Sequence, residues 1–266
     1  MTDIPVLLST SSVFPEPTAA AFELAATLGY DGVEVMVWTD PVSQDARALQ
    51  VLAQHYGVPV RSVHAPCLLI TMRVWGTDPW EKLRRSARLA LEVGAPTVVV
   101  HPPFAWQRDY ATGFGAGLRA LHKQFPDVSF AVENMYPVRV RGREFVPYLP
   151  GWNTSKFGYD AYTLDLSHCA AARTDALAMA DAMGSALQHV HLGDGRGEGR
   201  DEHLVPGRGT QPCGPLLASL RSRGFTGSVA VEVSTRRARS RQARIDDLAA
   251  ALAFAREHLG TPACTG

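Results

Sequence analysis

The stretch DPWEKLRRSARLALEVGAPTVVVHPP, residues 78–103, decides the fold. Asp78 followed by Pro79 reads as a helix N-cap with proline in the first helical position, and Gly94 reads as the stop. A short β-branched run follows at once and ends on His101. One helix, one glycine stop and one apolar strand make the repeating unit of a parallel sheet covered by helices. The unit recurs in both directions. Strands are expected at residues 5–10, 32–36, 59–64, 96–101, 129–134, 161–166, 187–192 and 228–233. The segments between them carry helical spacing. Residues 174–184, TDALAMADAMG, repeat the same grammar, and the last helix is expected over 241–259. Eight such units in 266 residues match the size and order of a single (β/α)8 TIM barrel, an α/β fold filling residues 1–260 before a short flexible tail at 261–266. An open doubly wound sheet is the alternative. It is weakened because no GxGxxG follows the first strand and no Walker sequence occurs.

Two stretches break the rhythm. Residues 135–159, directly after the fifth strand, are rich in Pro, Gly, Arg and aromatics; residues 193–214 are Gly-rich and polar. Structureless insertions of this length in a compact domain are usually functional or mobile.

Composition narrows the function. Lys+Arg and Asp+Glu are both 26, so the formal net charge is zero, which argues against a protein held on nucleic acid by a global positive field. Cys67, Cys169, Cys213 and Cys264 form no CxxC pair and read as scattered reduced thiols. No apolar run is long enough to span a membrane, and residues 1–17 lack the basic region of a signal peptide. A cytoplasmic location is expected.

The strand ends carry the chemistry. The third expected strand ends on His64, the fourth on His101, the fifth with Glu133, the sixth with Asp165 and then His168, the seventh with His191, and the eighth with Glu232. In a barrel, side chains at the C-terminal ends of the strands converge on one mouth. Asp201 and His203, in the loop after the seventh strand, can reach the same place. These are the residue types that bind Zn²⁺ or Mn²⁺. Each alone reads equally as a hydrogen-bonded rim residue. Together, without an ion, so many buried carboxylates and imidazoles would be costly. His55, His122 and His258 fall on expected helices and read as solvated. His189 shares a face with His191 and reads as a core or supporting residue one layer deeper. Glu34 reads first as a hydrogen-bonding residue on the core side, with substrate contact as the alternative.

These residues resemble the xylose-isomerase-like TIM-barrel superfamily, which includes sugar and sugar-phosphate isomerases and epimerases and also endonuclease IV. The carriers are GYDGVEVM (29–36), SVHAP (62–66), VENM (132–135), TLDLSH (163–168), VHLGD (190–194), DEHLVPGRG (201–209) and VEVS (231–234), in that order. Uncharacterised actinobacterial proteins of the sugar phosphate isomerase/epimerase kind look most similar. The tagatose/psicose 3-epimerase pattern implies one divalent ion on Glu133, Asp165, His191 and Glu232, with the two glutamates transferring the proton and His168 and Arg196 contacting substrate oxygens. The endonuclease IV pattern implies three zinc ions on His64, His101, Glu133, Asp165, His168, His191, Asp201, His203 and Glu232.

The sequence is therefore expected to encode an enzyme with one to three Zn²⁺ or Mn²⁺ ions. The favoured activity is isomerisation or epimerisation of a small sugar or sugar phosphate through an enediolate, with Glu133 and Glu232 as catalytic residues. The alternative is a multinuclear phosphoesterase acting on abasic DNA or a small phosphoester. Nucleic acid is the less favoured partner, no membrane partner is expected, and a homo-oligomer is compatible with the sequence. Trp38, Trp106 and Tyr136 lie just past strand ends, where they can wall a sugar or a base. Arg139, Arg141, Arg143 and Lys156, among the rings of Tyr136, Phe145, Tyr148, Trp152 and Phe157, suggest that residues 135–159 form a lid for an anionic ligand. Residues 206–210, PGRGT, read as a turn that positions His203, with a capacity to offer backbone N–H groups to an anion.

Overall fold

Eight parallel strands close into a barrel in the computed structural model, which describes residues 4–140 and 142–260. The strands are β1 (Val6–Ser9), β2 (Gly32–Met36), β3 (Val60–His64), β4 (Thr97–Val100), β5 (Ser129–Glu133), β8 (Tyr162–Asp165), β9 (Leu187–Leu192) and β10 (Ser228–Val231). Around the barrel they run β1-β10-β9-β8-β5-β4-β3-β2, with β1 pairing both β2 and β10 and so closing the sheet. Every expected strand is present, most of them trimmed by a residue or two because the flanking positions leave the ladder. The tail at 261–266, and Cys264 with it, lies outside the described residues.

The strands are apolar because both their faces are covered, by helices outside and by packed side chains within. Helix α1 (Thr18–Leu28), α2 (Ala46–Tyr56), α3 (Pro79–Val93), α4 (Arg108–Gln124), α5 (Leu166–Ala172), α6 (Ala176–Met183), α7 (Cys213–Ser222) and α8 (Arg241–Leu259) make the outer layer. The caps follow local chemistry. Asp78 accepts from the Trp80 N–H at 2.9 Å, and Gly94 closes α3 at φ 76°. Asp175 caps α6 in the same way, with Gly184 at its end.

The regular alternation fails at one place. Among the described residues no α-helix lies between β5 and β8; β8 is followed by two, α5 and α6. The β5–β8 connection instead holds an antiparallel hairpin, β6 (Val138–Val140) with β7 (Arg143–Phe145). The expectation of a structureless stretch at 135–159 is thereby corrected. Its backbone is knitted to the β4–α4 loop: Ala105 N–H donates to Pro147 O at 2.7 Å and Leu149 N–H to Pro103 O at 2.9 Å. Met135 N–H donates to Trp152 O, and Phe104, Met135 and Tyr148 form a small apolar cluster under Trp152. These bonds replace the helix in satisfying the backbone. Arg139 donates to Ala171 O and pairs with Glu144, Arg143 and Lys156 are exposed, and Arg141 lies outside the described residues.

Candidate metal centre

The C-terminal ends of β3, β4, β5, β8, β9 and β10 bring His64, His101, Glu133, Asp165, His191 and Glu232 into one buried cluster. Glu133 sits at its centre. Oε2 lies 3.3 Å from His64 Nε2 and 2.9 Å from His101 Nε2; Oε1 lies 3.1 Å from His191 Nδ1 and 3.3 Å from His168 Nδ1. Glu232 Oε2 lies 2.8 Å from His191 Nδ1, and its Oε1 accepts from the Ser11 hydroxyl at 3.0 Å. Asp201 Oδ2 lies between His203 Nε2 at 3.0 Å and His168 Nε2 at 3.5 Å.

The donors sort into three groups, each with its ligand atoms within 4.8 Å of one another: His64, His101 and Glu133; Glu133, Asp165, His191 and Glu232; and Asp165, His168 and His203. Asp201 adjoins the third. All nine residues expected as ligands are thus assembled, including the two that the loop supplies.

The far side of each ring shows why the near side faces inward. Imidazole nitrogens differ, and the bond made by one fixes which is free to ligate. His64 Nδ1 bonds Ala65 O at 3.0 Å, and His203 Nδ1 bonds Glu232 O at 2.9 Å; in both rings Nε2 is turned to the cluster. His168 Nδ1 bonds Asn134 O at 2.8 Å, which leaves Nε2 toward Asp201. Asp165 Oδ2 and His101 Nδ1 are buried with no hydrogen-bond partner among the described residues. Orphaned polar atoms of this kind are costly unless something absent from the protein chain satisfies them.

Charge follows the same geometry. Burial pushes the Glu133 carboxyl up, but His191 and His101 outweigh it and hold it well below the usual carboxylate range. Glu232 is likewise brought down to about 2, against its burial, chiefly by His191. Burial works against the charged form of every imidazole here. At His168 it is overcome by Asp165 and Asp201, at His191 by Glu232, Glu34 and Glu133, and at His203 by Asp201, whose ring is lifted to about 10. At His101 burial wins and the ring is pushed down.

The substrate-side expectations fare differently. Trp38 lines a cavity of about 670 Å³ with Phe14, Met36, Ile70 and Arg236. Ser11 also lines it, so the cavity adjoins Glu232 through that hydroxyl. The Tyr136 ring stands 5.0 Å from the His168 ring. Trp106 is exposed and stacks on Phe104 at 4.4 Å, on the rim. Arg196 is exposed and turned to Glu202 at 2.8 Å, away from the donors. His55 and His122 are exposed as expected, while His258 is half-buried, its ring tilted against Phe254 with centroids 4.4 Å apart.

Four further residues do work that the sequence reading did not assign. Asn134 bonds both sides of Asp165, donating to its carbonyl and accepting from its N–H at 2.7 Å. Ser167 donates to Asp201 at 2.7 Å and accepts the His203 N–H at 2.8 Å. Ser11 holds Glu232. Asp194, fully buried, accepts the N–H groups of Gly195, Gly207, Gly209 and Gln211 between 2.8 and 3.0 Å. The anion for the PGRGT turn is therefore the chain's own carboxylate. The signal was available: an acid directly after a strand end, facing a Gly-rich loop. Replacing Asp194 with Asn puts an amide donor against N–H donors, and losing a hydrogen bond to a charged group costs about 1.5–3 kcal/mol. We expect Asp194→Asn to lose metal at the Asp201 and His203 end while keeping the remainder, read by elemental analysis of the purified variant.

These donors stand where a family model for xylose isomerase-like TIM barrels matches the chain, over residues 22–258. The chain belongs to that family. Among curated proteins it is 50% identical over 275 residues to uncharacterised proteins of Mycobacterium tuberculosis and Mycobacterium leprae, covering 96% of this chain and 98% of each relative. Among solved structures it resembles a D-tagatose 3-epimerase-like protein (TM-score 0.69, 20% identity, 96% of this chain and 99% of that one). It also resembles an AP endonuclease, family 2, from Brucella melitensis (0.67, 18%, 88% and 94%) and the IolI protein with a bound zinc atom (0.67, 14%, 97% and 98%). At these identities the structural likeness establishes the barrel. No helix among the described residues is long and apolar enough to cross a membrane.

Proposed function

We propose that this family member is a multinuclear metal enzyme that hydrolyses a phosphoester of a small, sugar-sized molecule. The observation that carries the reading is the full engagement of Glu133. Both its oxygens face imidazoles, His64 and His101 on one side, His168 and His191 on the other. A carboxylate that carries a proton between substrate carbons needs an oxygen free to reach them. Glu133 instead has the surroundings of a ligand shared between two groups of donors. The expected preference for isomerisation accordingly becomes the second reading.

The donor set is five imidazoles and four carboxylates with no thiolate, which fits Zn²⁺ or Mn²⁺. His64, His101 and Glu133 would hold one ion; Glu133, Asp165, His191 and Glu232 a second; His168, Asp201 and His203 a third. Ions of this kind supply Lewis acidity and neutralise phosphoryl charge. The chain's own groups do the remainder. Ser11 orients Glu232 at the edge of the cavity. Burial, reinforced by the charge on Asp201, keeps the Tyr136 phenol protonated beside His168, so it acts there as a donor. Trp38 and Phe14 offer ring faces to the organic part of the ester, and Arg236 stands over Phe14 at 5.5 Å at the cavity rim. Glu16 and Asp40 also line the cavity. Those acids favour a small ester over a polynucleotide.

Isomerisation or epimerisation of the same substrates is kept as the second reading on one observation: Glu133 and Glu232 flank His191 Nδ1 at 3.1 and 2.8 Å in a four-donor group that adjoins the cavity through Ser11. Incubating the zinc- or manganese-loaded enzyme with a panel of sugar phosphates in D₂O separates the two. We expect release of inorganic phosphate, with no carbon-bound deuterium in recovered substrate. Deuterium incorporation without phosphate release assigns the site to proton transfer at carbon.

A further inference from the structure

Beneath the donors lies a second polar layer that neither reading uses. Glu34 on β2 and His189 on β9 are completely buried, as is His191. Strand alternation places His189 on the same face as His191, one step deeper in the barrel. The Ser62 hydroxyl donates to Glu34 Oε2 at 2.8 Å, and His189 Nε2 lies 2.8 Å from the same oxygen. His189 Nδ1 in turn bonds the Ser228 hydroxyl at 2.8 Å. Glu34 Oε1 is left over. Its neighbour is His191 Nε2 at 3.1 Å, and among the described residues neither atom has another hydrogen-bond partner.

His191 differs from the other rings of the cluster. His64 and His203 have the Nδ1 side bonded to backbone carbonyls and Nε2 facing inward. His191 is reversed: Nδ1 faces Glu133, Asp165 and Glu232, and Nε2 points down into the barrel. To ligate through Nδ1 it must carry its proton on Nε2, and a proton buried there needs an acceptor. Among the described residues no backbone carbonyl bonds that atom, and Glu34 Oε1 stands 3.1 Å from it.

We propose that Glu34 is the positioning residue of the metal centre, fixing the tautomer and ring orientation of His191 through a buried chain that runs from Ser228 through His189 and Glu34 to His191. The inference rests on the metal-binding part of the proposed function and not on which reaction follows. Ser62 and His189 hold one carboxylate oxygen so that the other is presented to His191. Glu34, His189 and His191 also lie close enough to hold an ion themselves. The complete burial and the two serine anchors, Ser62 on Glu34 Oε2 and Ser228 on His189 Nδ1, instead make this a supporting layer.

Outer carboxylates of this kind typically change metal affinity by roughly 10–100-fold when removed. The test is competition for zinc against a chromophoric chelator, on full-length wild type, Glu34→Gln and Ser62→Ala, with a cobalt-substituted sample of each for its visible spectrum. In Glu34→Gln we expect one class of bound ion to weaken by about 10–100-fold. The cobalt bands of that class should shift, while the class held by His64 and His101 keeps its affinity. Ser62→Ala removes one anchor of Glu34 and is expected to weaken the same class by less. It keeps the question answerable if Glu34→Gln does not fold. Unchanged affinity and spectrum in the folded variants overturn the inference while leaving the metal centre standing. A wild type that binds no zinc overturns both.

Discussion

A Glu133→Gln variant is expected to lose turnover and metal together while still folding into the barrel. Glu133, like Asp165, belongs to two of the donor groups, and four imidazoles surround its two oxygens. The amide keeps the shape, removes the negative charge and turns a donor toward rings that need an acceptor. Breaking a buried ion pair by removing one partner costs about 3–5 kcal/mol, because the charge left behind is uncompensated. Here part of that loss is relieved, since the histidines can give up their protons. Loss of a direct donor shared by two groups should exceed the effect of an outer partner, so we expect metal affinity to fall by at least about 100-fold. Turnover should drop to background. Elemental analysis and phosphate release on one preparation check both halves, and circular dichroism checks the fold. A folded Glu133→Gln enzyme that keeps its metal and its activity would remove Glu133 from the centre of the account.

The second large effect is the response to metal removal and pH. In metal-free protein, His168, His191 and His203 have raised proton affinities and Glu34, Glu133, Asp201 and Glu232 lowered ones. The histidine contribution to stability is fully present below the ordinary imidazole value of 6.5 and is lost as pH rises through the folded values, about 10 for His203. The carboxylate contribution is fully present above the ordinary value of 4.5 and is lost as pH falls toward about 2 for Glu232. Both are complete only between those ordinary values, so chelated protein should be most stable in mildly acid solution.

Added metal reverses the trend. Ligation requires the inward nitrogens to be free of protons, so binding releases protons and strengthens as pH rises. At a free ion concentration of 100 Kd each occupied site adds about 2.7 kcal/mol. For a domain of this size that is roughly 5–10 °C in Tm per site. We expect the zinc-induced rise in Tm to be larger at pH 8 than at pH 6, and metal addition to chelated protein to acidify an unbuffered solution. A rise that shrinks with pH, or no proton release, would contradict the assignment of the three histidines as ligands.

The eight strands and the converging donors were legible because both rest on local signals. Period, caps and glycine stops mark the units, and a His, Asp or Glu at a strand end has only the mouth to face. The hairpin at 138–145 was not legible. Its two strands pair with each other, and the residues just after it, Pro147 and Leu149, bond the β4–α4 loop, far in sequence; Pro-rich composition reads as loop whichever partner satisfies the backbone. Arg196 carried the expected chemistry at the expected place, yet Glu202, six residues on, takes its guanidinium. Asn134, Ser167 and Asp194 were hidden for another reason. Their roles are bonds to neighbouring loops and carbonyls, which no spacing within one segment displays. Glu34 was legible as a buried hydrogen-bonding acid, and what the strand pairing added was its partner. The register sets Glu34 beside Ser62, and the closed barrel brings His189 and His191 across from it.

The most direct test of the central claim is the number of metal ions bound per chain, measured by elemental analysis of protein loaded with zinc or manganese and freed of excess by gel filtration. The account predicts about three per chain, one for each of the groups His64–His101–Glu133, Glu133–Asp165–His191–Glu232 and His168–Asp201–His203. A single ion per chain would contradict the multinuclear reading and return the site to the one-ion isomerase. No ion at all would contradict the metal centre itself.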